Sequence, residues 1–298
     1  MANSSFNSPI EIRTGTKNKG HIKINVERIL TYIILVLGAI ISLGPFFWMI
    51  SASLMSLGEA QGVRLLPSEI HLENYVAAWN EADFSEYFIN SVLITVITLS
   101  GELLFSILAA YAFARIKLPG RDLIFAILLS TLMIPAMVTI IPNFLTVTWL
   151  GRIGPLKWIN NWPALTVPFM GSVFAIFLLR QFFAQIPDEL YDAAQIDGAG
   201  HLRFLIRVVI PLSMAPILVI IVLSFIGTWN ALAWPLLVTN SPDWRPISVG
   251  LLNFVEEAGQ MINLMMAGAF ITIIPIMIIY FITQKQFTES IARSGLKG

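Results

Sequence analysis

Long apolar stretches alternate with short polar ones from residue 29 to the C-terminus. Six of them, 29–57, 87–114, 123–151, 158–179, 208–242 and 258–284, carry no charge except Glu102 in the second. Each is long enough to cross a hydrocarbon layer as a helix, which takes about 20 residues. Several exceed one crossing, so their ends must bend, break or lie along the interface. Pro135 and Pro142 remove backbone donors in the third run and are expected to break it, as a hinge or a kink. Spanning segments must bond their own backbone groups, and these runs are too long and too uniformly apolar for barrel strands. The pattern predicts an all-α integral membrane protein with six transmembrane helices in one domain, 29–285, between an N-terminal arm, 1–28, and a C-terminal tail, 286–298.

Composition agrees: 56% of the 298 residues are hydrophobic and 12% charged, against about 25% charged in soluble domains. The mean hydropathy is +0.77. A formal net charge of zero hides an asymmetry. With the N-terminus inside, Arg13, Lys17, Lys19, Lys23 and Arg28 share the inner side with three Lys or Arg in each of 115–121, 180–207 and 285–297. The outer side keeps Arg64, Arg152, Lys157 and Arg245, and its first loop is acidic. Both termini are therefore expected in the cytoplasm. The basic arm reads as an orientation signal rather than a nucleic-acid site, and the first apolar run is too long for a signal-peptide core, so it reads as an anchor. The absence of cysteine excludes disulfides and thiolate chemistry. His21, His71 and His201 are scattered and suggest no metal site.

One polar segment, 186–216, stands apart between the fourth and fifth runs. Pro187 suits a helix start, Asp188 and Glu189 suit its positive end, and Gly198 stands where a left-handed cap would stop it. In the resulting helix of about eleven residues Leu190, Ala193, Ala194 and Asp197 share a face. Two adjacent alanines there permit close approach of another surface. After Gly198, Ala199 and Gly200 a second amphipathic stretch, 201–207, leads into Pro211 and the fifth run, so a push on the loop would reach that helix. From spacing alone, an ordinary surface helix covering its own bundle fits equally well.

The residues Asp192-Ala193-Ala194, Asp197-Gly198-Ala199, Phe204, Pro211-Leu212 and Pro216 resemble the EAA loop of ABC-importer permeases, with Asp192 in place of the usual Glu. Three further stretches resemble the carbohydrate, MalG-like branch of that family. They are the run from Ala109 to Arg115 followed by Lys117-Leu118-Pro119-Gly120-Arg121; Trp229-Asn230 with Trp234-Pro235-Leu236; and Ser294-Gly295-Leu296-Lys297-Gly298. Ala231 departs from the acidic residue often found there. The resemblance implies a type I importer of the bacterial or archaeal cytoplasmic (inner) membrane, its permease pairing as a heterodimer with a second, MalF-like permease. Two MalK-like ATP-binding subunits would hold ATP and Mg, and an extracytoplasmic solute-binding protein would deliver a sugar, such as an oligosaccharide. Leu190, Asp192, Ala193, Ala194, Asp197, Gly198, Ala199 and Gly200, within the coupling loop 186–212, would meet the ATPase. Gly295, Lys297 and Gly298 would reach into the ATPase dimer, and ATP-driven closure would rock the bundle in alternating access. The chain itself is expected to be no enzyme and to hold no cofactor, since none of its Lys residues is followed by the Ser or Thr of a nucleotide cradle.

Solute-path candidates are Ser224, Thr228, Trp229, Asn230 and Trp234, because sugars are gripped by aromatic faces with amides and hydroxyls. An interfacial aromatic belt with interhelical hydrogen bonds would explain the same residues. Glu102, an acid within an apolar run, fits a proton path, a solute contact, or a protonated or hydrogen-bonded residue at a subunit interface. The loop 239–261, with Glu256, Glu257 and Gln260, is a candidate contact for the binding protein or a plain connector. A permease for a non-sugar solute is the nearest alternative. A secondary transporter would need no Ala-Ala docking helix, and a membrane enzyme would need a metal or nucleophile motif that is missing.

Overall fold

The computed structural model describes residues 26–62, 64–81, 83–256 and 261–295, and no strand occurs among them. The chain forms two compact units, Met1–Phe47 and Trp48–Gly298. The described part of the first is helical and belongs to α1, Val26–Ser53.

The second unit opens with the short α2, Leu57–Ala60, and α3, Glu73–Glu81. The long α4, Phe84–Arg115, follows; its 32 residues span about 48 Å at about 1.5 Å each. Next come α5, Arg121–Ser130, α6, Ala136–Ile153, α7, Trp162–Thr166, and α8, Val173–Ala184. The polar segment supplies α9, Asp188–Ile196, and α10, His201–Phe204. A π-helical turn, Leu205–Val209, joins α10 to α11, Ile210–Leu212. Then follow α12, Met214–Trp229, α13, Ala233–Val238, α14, Ile247–Glu256, and α15, Ile262–Gly295.

Among the described residues five helical segments are long and apolar enough to cross a membrane, or six if the bent pair His201–Leu212 and Met214–Trp229 counts as one span. The third, fourth and fifth expected runs are each broken, the fourth between α7 and α8. Pro135 ends the third, with Ile134 extended ahead of it (φ −85°, ψ 118°), because the ring excludes the α conformation from the preceding residue. Pro142, expected to break the same run, lies inside α6 and leaves it helical. The fifth run bends by 79° at Ser213. There the ring of Pro216 would clash with the Leu212 carbonyl, four residues back, if the helix ran straight. The push expected to pass directly from 201–207 into the fifth helix therefore meets a corner. The expected loop 239–261 is also largely helical: Ile247 and Phe254 of α14 are buried in the core.

Three apolar clusters hold the second unit. One, at the C-terminal end of α4, joins Tyr111 to Phe125, Phe183, Phe204 and Ile220. Another, at the N-terminal end, joins Phe84 and Tyr87 to Trp229, Phe254 and Leu264. The third gathers Ile94, Val147, Leu165 and Trp234. Between the ends α4 is inverted relative to a soluble helix. Ser91, Thr95, Thr98, Glu102 and Ser106 are buried, while Val96, Leu104 and Phe105 are exposed, the arrangement expected where the surrounding solvent is hydrocarbon.

Candidate functional sites: a clamped surface helix and a cavity at broken helices

Pro187 forms the N-cap of α9, leaving Asp188 and Glu189 in the first turn, where the partial positive charge of free backbone N–H groups favours them. The helix is nine residues long, somewhat shorter than expected, with Asp197 as its C-cap. Gly198 then adopts φ +75°. Its N–H bonds the Gln195 carbonyl at 2.9 Å and the Ala199 N–H bonds the Ala194 carbonyl at 2.8 Å. This is the double bond pattern of a Schellman cap, for which glycine is suited.

The helix is clamped to the bundle from both ends. Arg115, last residue of α4, donates from Nε to the Phe183 carbonyl at 3.1 Å and from its other nitrogens to the Ile186 carbonyl and Asp188. At the other end His201 lies 2.9 Å from the Tyr111 hydroxyl through Nδ1 and 2.9 Å from the Tyr191 hydroxyl through Nε2. A neutral imidazole donates through one nitrogen and accepts through the other, so it can satisfy both. Tyr191 also stacks on the His201 ring at 4.8 Å. Beside this clamp Arg180 bonds the Phe113 carbonyl at 3.3 Å and covers the Phe125 ring at 4.1 Å.

The proposed shared face divides. Ala194 packs with Tyr191 against the core, whereas Leu190, Asp192, Ala193, Asp197, Gly198 and Gly200 are exposed and Ala199 is half-buried. Ile196 and Leu202 are 87% and 63% exposed. These two, absent from the sequence candidates, extend the outward surface; their signal was apolar side chains out of register with Tyr191, Ala194 and Phe204.

The second site is a cavity of about 320 Å³. It forms where two helical runs break. Pro168 interrupts the segment between α7 and α8, and residues 230–232 separate α12 from α13. Pro168 has no N–H for the Ala164 carbonyl, which instead accepts the Trp234 indole N–H at 2.8 Å. Trp234 is thus fixed as a wall. Phe169 meets it edge to face at 5.8 Å. Opposite, α4 and α12 contribute Thr98, Glu102, Ser224 and Thr228. Ser224 Oγ donates to Glu102 Oε1 at 2.9 Å. The outer wall is held by Asn90, whose amide donates to the Asp243 and Arg245 carbonyls, and by Ser91, which accepts the Ile247 N–H at 2.7 Å.

Glu102, Ser224, Thr228 and Trp234 therefore share one lining, and Trp229 and Asn230 lie outside it. Trp229 is buried at another core and donates to the Thr272 carbonyl at 3.0 Å; Asn230 is exposed and bonds its own helix at Ile226. Thr98 was missed, though the three-to-four-residue spacing of buried polar positions along α4 carried a signal. Glu256 ends α14 and Gly295 ends α15; Glu257, Gln260, Lys297 and Gly298 lie outside the described residues. Among the described residues no cluster of His, Asp and Glu could hold a metal ion.

The profile of the family described as "Binding-protein-dependent transport system inner membrane component" matches residues 102–292. The chain belongs to this family. Among relatives, the permease is 28% identical over 273 residues to the diacetylchitobiose uptake system permease protein NgcG of Streptomyces coelicolor, covering 90% of this chain and 88% of that one. It is 32% identical over 280 residues to the sn-glycerol-3-phosphate transport system permease protein UgpE of Brucella abortus, covering 90% and 97%. The fold matches a chain in the crystal structure of a bacterial ABC transporter involved in the import of the acidic polysaccharide alginate. That match has a TM-score of 0.78 at 26% identity, over 87% of this chain and 96% of that one.

Proposed function

We propose that this permease carries a sugar across the cytoplasmic membrane, with both termini in the cytoplasm, and that α9 converts closure of two ATP-binding subunits into alternating access. The observation that carries the reading is α9 itself. It presents an exposed face of small and apolar residues while Arg115 and His201 fix it to the bundle, so it can move with that bundle as a rigid body. ATP and Mg would be held by the ATP-binding partners. A homologous permease would complete the pathway, and an extracytoplasmic binding protein would deliver the solute, with Glu256, Glu257 and Gln260 as contact candidates. Gly295, Lys297 and Gly298 would reach the ATPase. The cavity beside Glu102, Ser224, Thr228 and Trp234 would form this chain's share of the solute path. A phosphorylated polyol as cargo is the second reading, favoured by the UgpE relatives.

The test is a mild-detergent pull-down of the N-terminally tagged chain from its native membrane, with mass spectrometry of what is retained. The expected result is a second permease at equal stoichiometry and ATP-binding subunits at twice that. Recovery of the folded chain alone, with transport activity, would overturn the reading in favour of a secondary transporter.

A further inference from the structure

Glu102 uses only part of its bonding capacity. It is 6% exposed and accepts from Ser224 through Oε1, and no ion pair or bond to Oε2 involves it among the described residues. One helical turn away Thr98 lines the same cavity; its hydroxyl is buried and has no protein partner. No Lys or Arg lines this cavity, although Arg245 adjoins it at Pro246 and its Nε is buried without a protein partner. The remaining wall includes the faces and edges of Phe169 and Trp234.

We infer that Glu102 and Thr98 form a specificity-determining pair that admits a neutral or amino-bearing sugar and turns away one carrying phosphate or carboxylate groups. The inference rests on the assignment of this cavity to the solute path. A carboxylate oxygen can only accept, so a hydroxyl or ammonium group on the solute completes it. A phosphate or carboxylate brings its own charge and further acceptors into an environment where water screens poorly, and no cation in the lining compensates. Thr98, able to donate and accept, bonds the neighbouring hydroxyl of the same ring. The aromatic wall takes the apolar face of the sugar.

The experiment uses the complex purified from its membrane, in proteoliposomes with ATP inside and the binding protein outside. Four labelled probes are supplied at equal occupancy of the binding protein: cellobiose, chitobiose, a galacturonate dimer and sn-glycerol 3-phosphate. Wild-type uptake of the first two should exceed that of the acidic pair by about tenfold or more, the loss expected when a hydrogen bond to a charged group cannot form. Glu102→Gln should narrow that ratio by a similar factor while binding-protein-stimulated ATP hydrolysis persists. Thr98→Val should slow the neutral probes alone, and Arg245→Gln should leave the ratio unchanged. A purely structural Glu102 would alter stability without moving the ratio. Equal carriage of acidic and neutral probes, a binding protein that takes only acidic ones, or an unchanged ratio in Glu102→Gln would overturn the inference and leave the importer assignment standing. Carriage of no probe by a complex that hydrolyses ATP would defeat the sugar assignment itself, and this inference with it.

Discussion

The C-terminal end and the middle of one helix, α4, are built in opposite ways. At its C-terminus polar groups are saturated: Arg115 meets two backbone carbonyls and a carboxylate, and Tyr111 meets His201. In its middle Thr95, Thr98 and Ser106 bury hydroxyls with no protein partner, and Glu102 has one bond. Leaving a buried polar group unpaired costs about 1–3 kcal/mol, so the middle of α4 is the weaker design for stability alone. A saturated network resists deformation and can carry a displacement as a unit. An unsaturated one gains when something polar enters. The contrast assigns rigidity to the end that would meet a motor and adaptability to the part that would meet cargo.

The sharpest way to break this division is at Gly198. A Cβ there would meet nothing within 4 Å, so its own chain leaves room, but φ +75° disfavours a side chain, by about 1–2 kcal/mol for most residues. Gly198→Asp adds only part of that strain, since Asp tolerates the left-handed region better than most side chains, but it places a second carboxylate beside Asp197 on the exposed face. ATP-driven uptake should fall by about tenfold or more, equivalent to about 1.4 kcal/mol or more of lost coupling, with the bundle still folded by circular dichroism. Normal uptake in this variant would remove the coupling role from α9.

Arg115→Gln comes next and tests the clamp rather than the face. It takes a charged donor from the carbonyls of Phe183 and Ile186, at about 2–3 kcal/mol of local stability. Asp188→Asn should change little, within about 1 kcal/mol, because the Asp188 side chain is 89% exposed. Hydrogen exchange of the α9 amides in the assembled complex separates the two. If α9 stays as protected in Arg115→Gln as in wild type, the clamp is not what holds it. His201→Phe should have a smaller effect: stacking on Tyr191 survives, but the buried Tyr111 hydroxyl loses its partner, at about 1–2 kcal/mol. A shift in ATPase-to-uptake ratio would tie that loss to coupling, while a melting shift alone would confine it to packing.

What was legible in the sequence follows from how local each feature is. Pro187, the two acids after it and Gly198 are readable as a capped helix because each acts within one turn, and the structure has that helix. The clamp was not readable, since Arg115 and Asp188 are 73 residues apart and Tyr111 and His201 are 90. Proline gave an ambiguous signal. Ile134 before Pro135 is extended, whereas Ile141 before Pro142 stays helical, and a proline in the sequence looks the same in both cases. The cavity was half legible: hydroxyls and indoles marked α12 and α13, but the detachment of Trp229 and Asn230 depends on which way the chain turns after Trp229. On α4 the polar stripe was present as periodicity within an apolar run, where a reading by length and hydropathy alone passes over it.

The smallest expected effect lies after α1, at Glu59 of α2, and extends the comparison to a saturated, partly exposed acid. Glu59 accepts from the Ser68 N–H at 3.1 Å through Oε1 and from Ser56 N–H and Oγ at 3.3 and 3.2 Å through Oε2. Those bonds, Ser68 first and Ser56 after it, hold its pKa down from 4.5 to about 2. A carboxyl lowered in the folded state stabilises above its ordinary value and loses that contribution as pH falls through the folded one. The loop should therefore keep its Ser68 amide protected at pH 4 and release it only as pH approaches 2. Beside it the hydrogen bond to Glu73 raises the His71 pKa, so that contact contributes at low pH and fades as pH rises through the raised value. Glu59→Gln should abolish the acid-dependent step at Ser68 and leave the His71 step in place. A Ser68 amide that loses protection near pH 4.5 in the wild type would mean that Glu59 is not held by these bonds.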